Sequence, residues 1–269
     1  MPKHVVITGA NSGIGAALAK VYAVPGARLS LLARDHGRLE AVAAACRNRG
    51  CDVEAHAGDV TDAAGMERWL LACDSVVPVD LVVANAGIGG APVLVEDAGD
   101  TDAARQIFSV NTLGMINTVT PLLPRMVGRH AGQIAIVSSL SAFVGLPLIP
   151  AYGASKAAAG IYGDALRRLL APHGVRITTV YPGLVDTAML QSAGIRGPFL
   201  WTADRAALHI ARGLARGRRE MLFPWPLALA VRFAGRLPTA LADRILTHIH
   251  VTCDEPYFRS KERPQKLPS

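Results

Sequence analysis

No stretch of the chain offers the roughly 18 to 20 uninterrupted apolar residues that a bilayer-crossing helix needs, although 51% of its 269 residues are hydrophobic. The longest apolar segments, 140–152 and 221–231, are short and broken by proline, so no transmembrane span is expected. A secretory leader is not expected either: Met1-Pro2-Lys3-His4 leads directly into Val5, Val6 and Ile7, and the expected location is the cytoplasm. Cysteine is scarce. Cys46, Cys51, Cys73 and Cys253 form no CxxC pair and have no histidine nearby at ligand spacing, which argues for free thiols and against zinc, another metal or a disulfide framework. Low-complexity tracts, internal repeats and Pro/Gly/Ser linkers are also missing. The composition is that of an ordinary globular chain, which excludes global disorder.

Acidic residues run short at one end. Residues 1–199 carry 16 Lys+Arg against 15 Asp+Glu, whereas residues 200–269 carry 12 against 6. A basic end of this kind fits an acidic partner such as a phospholipid surface, or simply a solvated face. No nucleic-acid partner is expected, because Arg216, Arg218 and Arg219 fall in a turn and no recognition motif accompanies them.

Seven short apolar runs punctuate the chain, at 5–8, 28–33, 53–57, 79–84, 133–138, 175–181 and 221–223, with helical stretches between them. Their apolar residues are consecutive, as in strands covered on both faces, and the intervening segments are long enough for right-handed crossovers. The expected fold is α/β: a doubly wound parallel sheet of seven strands with helices on both faces, in one domain over 1–253. Two regions break the rhythm. Residues 186–201 are irregular and contain Gly194, Gly197 and Pro198, a composition suited to a lid over a site. Residues 224–250 read as a C-terminal helical extension, and 254–269, with three prolines, as a disordered tail.

The first strand runs into Thr8-Gly9-Ala10-Asn11-Ser12-Gly13-Ile14-Gly15 and then a helical run. Glycines let the backbone turn sharply and approach a pyrophosphate, while the helix that follows presents free N–H groups and its positive dipole end. The second strand ends Leu31-Leu32-Ala33 and continues Arg34-Asp35. An arginine there accommodates the 2′-phosphate of NADP, whereas an acidic residue would hold the ribose of NAD. NADP(H) is expected over NAD(H), with Arg34 on the phosphate and Asp35 free either to neutralise Arg34 or to bind a ribose.

Tyr152-Gly153-Ala154-Ser155-Lys156 opens a helix and puts a phenol and an ammonium on one face. A phenol with an ordinary pKa near 10 becomes a usable general acid/base when a nearby cation favours the phenolate. Ser138-Ser139 stands at the end of the fifth strand, at the carboxyl edge of the sheet where open α/β folds hold ligands. A serine hydroxyl there can hydrogen-bond a substrate carbonyl.

Over roughly residues 3–223 these motifs resemble the short-chain dehydrogenase/reductase family, in order and at family spacing. They are TGANSGIG at 8–15, Gly58-Asp59-Val60, Ala84-Asn85-Ala86-Gly87, Val110-Asn111, Ser139, Tyr152 with Lys156, and Tyr181-Pro182-Gly183 with Thr187. The resemblance implies a Rossmann-type fold in which Gly9, Asn11, Ser12, Gly13, Ile14, Gly15 and Arg34 hold the coenzyme. It places Asp59 and Val60 at the adenine, Asn85, Ala86 and Gly87 on the cofactor floor, and Pro182, Gly183, Val185 and Thr187 at the nicotinamide end. Ser139 would polarise the carbonyl, Tyr152 transfer the proton, Lys156 lower the tyrosine pKa and hold the ribose, and Asn111 anchor a proton-relay water. Two departures stand out: Ala84 replaces the usual first asparagine of the fourth-strand motif, and Met221-Leu222-Phe223-Pro224-Trp225-Pro226 with its helical extension replaces the usual family ending. A homodimer or homotetramer is expected, with its usual subunit contact altered at this end.

The ending also resembles that of the family branch that acts on steroids, retinoids and other lipids. Residues 225–237 mix Trp225, Leu227, Leu229 and Phe233 with Arg232 and Arg236. Such a helix packs on its own core, packs on a second subunit, or lies in a membrane interface, and peripheral contact through 225–250 is one of these readings. The expected activity is hydride transfer between NADP(H) and a hydrophobic ketone or secondary alcohol. The candidate pocket is Leu140, Phe143, Leu146, Leu184, Met189, Leu190, Phe199 and Trp201, with Arg196 as the one cation. The alternative is a non-catalytic NADP-binding sensor or scaffold, which would need neither Tyr152 nor Lys156.

Overall fold

A computed structural model describes residues 1–89, 101–147, 149–192, 197 and 199–246. Arg196, Cys253 and the 247–269 end lie outside the described residues. Strands β1 (His4–Thr8), β2 (Arg28–Ala33), β3 (Asp52–Ala57), β4 (Leu81–Ala84), β5 (Gly132–Val137), β6 (Val175–Pro182) and β9 (Glu220–Phe223) form one parallel sheet in the order β3-β2-β1-β4-β5-β6-β9. All seven apolar runs are strands of this sheet, with ends displaced by at most two residues. Two further strands, β7 (Val185–Asp186) and β8 (Trp201–Thr202), pair with each other in a separate two-stranded sheet.

The consecutive apolar residues are explained by the two layers they serve. Val5, Ile7, Leu81, Val83 and Ala135 enter one buried layer, while the intervening Val6, Val82, Ala84, Ile134 and Ile136 enter the other. Helices α1 (Gly13–Tyr22), α2 (His36–Arg47) and α9 (Ala203–Ala215) close the first layer. The second is closed by α3 (Ala63–Val76), α5 (Gly114–Val119), α6 (Leu123–Gly128) and α7 (Pro150–Leu170). Helix α4 (Thr101–Phe108) continues through a π-turn, Ser109–Leu113, into α5. Each helix covers apolar strand surface at roughly 25 cal/mol per Å² removed from water.

Strand order reverses between β1 and β4, so a crevice opens at their carboxyl ends. A short helix, α8 (Ala188–Ser192), follows β7 over this edge. The extension forms α10 (Trp225–Ala234) and α11 (Thr239–Leu246). Helix α10 packs on the protein's own core: Ala228 is buried with Leu140 and Tyr181, and Leu227, Phe143 and Leu222 close around them. Arg232 grips Glu220 through both carboxylate oxygens at 2.6 and 2.7 Å and lies over the Phe143 ring. No helix among the described residues is long and apolar enough to cross a membrane, and no group of three or more His, Cys, Asp or Glu among them could hold a metal.

Candidate active site

The β1–α1 turn brings Gly9, Asn11, Ser12, Gly13, Ile14 and Gly15 to the switch point. Gly9 and Gly13 have φ of +66° and +51°, a region that disfavours any Cβ. A Cβ on Gly9 would also come within 2.8 Å of the Ala86 Cα, and one on Gly15 would strike the Gly9 carbonyl oxygen. Ser12 begins α1 in extended conformation without a side-chain cap, so the helix start keeps its own N–H donors for another acceptor. Ile14 instead packs on the core.

Asn85 holds this turn together. Its Nδ2 donates to the Thr8 and Gly9 carbonyls at 3.0 and 3.2 Å, while the backbone N–H groups of Asn85 and Ala86 donate to the Thr8 hydroxyl. The floor is thus a staple between β1 and β4, and Thr8 is a member that sequence reasoning missed. Its signal was a threonine ending the first strand, which spacing alone does not distinguish from any strand residue.

At the end of β2, Arg34 is exposed and makes no salt bridge among the described residues. Asp35 is committed elsewhere: it caps α2 by accepting from the Arg38 N–H at 3.0 Å and pairs with the Arg38 guanidinium at 3.3 Å. The choice left open for Asp35 therefore goes to Arg38, which leaves Arg34 uncompensated. Asp59 accepts from the Thr61 N–H and hydroxyl, both at 2.9 Å. Val60 is buried against Gly114, where a Cβ would crowd its side chain. Positive-φ glycines that admit no Cβ and an uncapped helix start fit the pyrophosphate of a dinucleotide.

The chemical residues meet on the other side of the crevice. Ser139 starts a short 3-10 turn, Leu140–Phe143, its hydroxyl accepting from the Ser141 N–H at 3.2 Å. Lys156 is buried, donates to the Val137 carbonyl at 3.0 Å, and sits 5.8 Å from the Tyr152 ring centroid. A Cβ on Gly87 would approach the Lys156 Nζ and the Asn111 Oδ1 at 3.2 and 3.1 Å, so all three crowd one point. Burial pushes the Tyr152 phenol up, and a side-chain hydrogen bond with Ser139 pulls it partly back. Burial also brings the Lys156 ammonium down to about 8.

Asn111 lies in the π-turn with both of its amide N–H donors engaged. Its Oδ1 accepts from the Ile88 N–H at 2.8 Å, and its Nδ2 donates to the Ile88 carbonyl and the Ser155 hydroxyl at 3.0 and 3.1 Å. Ser155 donates onward to the Tyr152 carbonyl at 2.8 Å, and Ser138 to the Lys156 carbonyl at 2.7 Å. These two serines fix the start of α7, and the sequence showed no sign of that role.

Pro182 is buried at the end of β6, and Gly183 admits no Cβ without pressing Leu227, Pro224 and Leu140. Thr187 stands against Gly13, where an added Cβ would lie 2.9 Å from its Cγ2, and Met189 stands against Gly89 in the same way. The first half of the lid region therefore bridges both glycine loops. Val185 is buried in β7 beside Trp201 in β8. Trp201 stacks on Phe223 at 4.8 Å beneath Arg205 and packs against the core. Leu140 is likewise core. Phe143 and Leu146 line a cavity of about 520 Å³ with Val144, Pro147 and Pro150.

A glycine-built anion cradle at the switch point, with a half-buried tyrosine and a buried lysine beside it, fits a dinucleotide-dependent oxidoreductase. The model of the short chain dehydrogenase family matches residues 3–196, and the chain belongs to that family. It is 36% identical over 239 residues to an uncharacterized oxidoreductase of Myxococcus xanthus, covering 88% of this chain and 94% of the relative. It is 31% identical over 267 residues to an 11-beta-hydroxysteroid dehydrogenase-like 2 protein of Arabidopsis thaliana, covering 96% and 84%. Among solved structures it is similar to a short-chain dehydrogenase from Sphingobium yanoikuyae in complex with NADPH. That likeness has a TM-score of 0.76 and 28% identity, covering 88% of this chain and 97% of the other.

Proposed function

We propose that this oxidoreductase reduces a hydrophobic ketone with NADPH, or oxidises the corresponding secondary alcohol in the reverse direction. The observation that carries the reading is the convergence of half-buried Ser139 and Tyr152 on the buried Lys156, with no carboxylate paired to the lysine among the described residues. A bound nicotinamide coenzyme would supply or accept the hydride. Ser139 donates a hydrogen bond to the substrate oxygen, and Tyr152 Oη gives that oxygen its proton. Burial keeps the phenol protonated at neutral pH, the form a general acid needs. Lys156 then meets the tyrosinate that is left behind, and its ammonium stabilises that charge.

NADPH over NADH is supported by the unpaired Arg34, by the engagement of Asp35 with Arg38, and by the NADPH carried by the Sphingobium relative. A hydrophobic substrate is supported by the apolar lining at Phe143, Val144, Leu146 and Pro147, and by the steroid dehydrogenase name of the Arabidopsis relative. A homodimer or homotetramer is supported by the apolar residues left exposed on α4, the π-turn and α7: Phe108, Leu113, Ile161 and Leu169.

The test is coenzyme oxidation by the purified protein with NADPH and NADH against hydrophobic ketones, with Tyr152→Phe alongside. Turnover with NADPH that disappears in Tyr152→Phe, with coenzyme binding retained, is the expected result. Equal turnover in the variant would overturn the role of Tyr152, and a preference for NADH would overturn that of Arg34.

A further inference from the structure

Helix α10 has two apolar faces, and only one is used inside the molecule. Leu227 and Ala228 face the core around Leu140 and Tyr181. Trp225, Leu229 and Phe233, each one turn of helix after the last, point the other way and are 74%, 64% and 66% exposed. The next helix continues the pattern with Leu241 and Ile245, again one turn apart and exposed. Large apolar side chains in an outward row are unusual on a soluble surface, where exposed apolar residues are normally scattered singly.

Charge around the row on α10 is mainly positive, while Asp243 and Arg244 stand together between Leu241 and Ile245 on α11. The Arg232–Glu220 pair puts the end of α10 beside the start of β9, and Arg218 and Arg219 immediately precede Glu220. Arg236 follows Phe233 by less than one turn. Arg218, Arg219 and Arg236 are exposed and have no salt bridge among the described residues. Residues 200–269 carry 12 Lys+Arg against 6 Asp+Glu, so the surplus lies in the part of the chain that bears the apolar row.

The area argues about the occupant. With about 150–250 Å² for a large aromatic side chain, the row on α10 presents a few hundred Å². A standard protein interface needs about 800 Å² from each partner. An amphipathic helix lying among headgroups needs only a narrow apolar face, aromatic residues and flanking cations.

We propose that the outer face of α10 and α11 is a docking surface for the anionic surface of a phospholipid membrane. Trp225, Leu229 and Phe233 enter the headgroup boundary, and Arg218, Arg219 and Arg236 meet lipid phosphates. Because the inner face of α10 packs on the turn that begins at Ser139, docking sets the catalytic edge close to the bilayer, the reservoir of apolar substrates. Binding itself requires no turnover, so the inference stands or falls apart from the reductase reading.

The full-length protein is floated with vesicles of phosphatidylcholine alone and with added phosphatidylglycerol, at low and high salt, beside Leu229→Glu/Phe233→Glu and Arg236→Glu. Expected are recovery with the anionic vesicles at low salt, a blue shift of tryptophan emission, and about tenfold or greater loss of binding in the double variant. Arg236→Glu should weaken binding less and flatten its salt dependence. Melting temperature and light scattering of the double variant should match the parent. Absence of flotation would overturn the proposal. If the double variant also turned an oligomer into a monomer, the row would be a contact between copies. Where flotation is absent and the oligomeric state of the double variant also matches the parent, membrane docking is excluded and residues 247–269 are the occupant to examine.

Discussion

The two edges of the sheet treat charge in opposite ways. At the amino edge, buried charge is matched. Asp74 accepts from the Val79 N–H at 2.8 Å and from Arg129 and Arg125 at 2.8 and 3.2 Å. Arg28 bridges Asp52 and Glu54, and the His4 ring sits between the Val77 carbonyl and the Ser30 hydroxyl. At the carboxyl edge, among the described residues, groups are left uncompensated: Arg34 without an acid, Lys156 with a carbonyl and no carboxylate, α1 without a side-chain cap. Partners present mark structural charge, and partners withheld mark charge kept for something that binds.

The sharpest way to break this contrast is to remove one charge from each edge. Lys156→Met should lower turnover by about 10² to 10⁴-fold without lowering the melting temperature, because an apolar side chain replaces a buried amine that has no counter-charge. Its pH signature has a definite sign. Burial brings Lys156 to about 8 in the folded chain from an ordinary 10.5, so between these values the unfolded chain binds more protons and stability rises with pH. The buried cysteines act oppositely, with Cys51 and Cys73 pushed up to about 11. The measurement is therefore the stability of the parent minus that of Lys156→Met, which should climb from pH 8 to 10; a flat difference would sink the assignment.

Asp74→Ala is the counterpart at the amino edge and should cost about 3 to 5 kcal/mol by stranding Arg129 and Arg125, with NADPH turnover per folded molecule unchanged. Denaturant unfolding and activity on one sample check both halves. Burial alone would raise the Asp74 carboxyl, but the Val79 N–H and the two guanidiniums outweigh it and hold it below its ordinary value. Its contribution is therefore present above the ordinary carboxylate value and lost as pH falls through the depressed one.

What the sequence revealed follows the same division. Strand runs were readable because Val5 through Ile7 and Leu81 through Ala84 feed two layers at once, and a double-faced strand has no polar positions to confuse it. Gly9, Gly13, Gly15, Ser139, Tyr152 and Lys156 were readable because their chemistry demands particular residue types at local spacing. The staple of Asn85 on Thr8, and the Asn111 contacts with Ile88 and Ser155, join segments far apart in the chain through backbone atoms that every residue has. Trp201 misled for a related reason: an aromatic residue beside a mobile composition suggests a pocket, but pairing of β7 with β8 turns its ring onto Phe223. The two faces of α10 were ambiguous because only the position of the turn after Ser139 decides which one is covered.

A smaller effect sharpens the contrast within the carboxyl edge. Arg34→Ala should raise KM for NADPH about tenfold, the value of a charge-assisted hydrogen bond or two, and leave KM for NADH unchanged. Arg38→Ala should do less, since Arg38 already spends its charge on Asp35. Equal losses with both coenzymes would mean that Arg34 supports the fold instead of reading a phosphate.

The smallest effect falls where the two kinds of charge meet. Arg232 is paired like an amino-edge residue, bidentate on Glu220, yet its guanidinium also covers Phe143 in the turn that begins at Ser139. Both side chains of the pair are over a third exposed, so solvent discounts the interaction and Arg232→Met should cost about 1 kcal/mol, a fall of about 2–4 °C in Tm. A purely structural brace would stop there. If it also holds the turn that begins at Ser139, KM for a bulky ketone should rise while KM for NADPH and the melting of the coenzyme complex stay put, because Phe143 lines the cavity and packs on Tyr181. Unchanged kinetics with the ketone would return Arg232 to the structural side of the comparison.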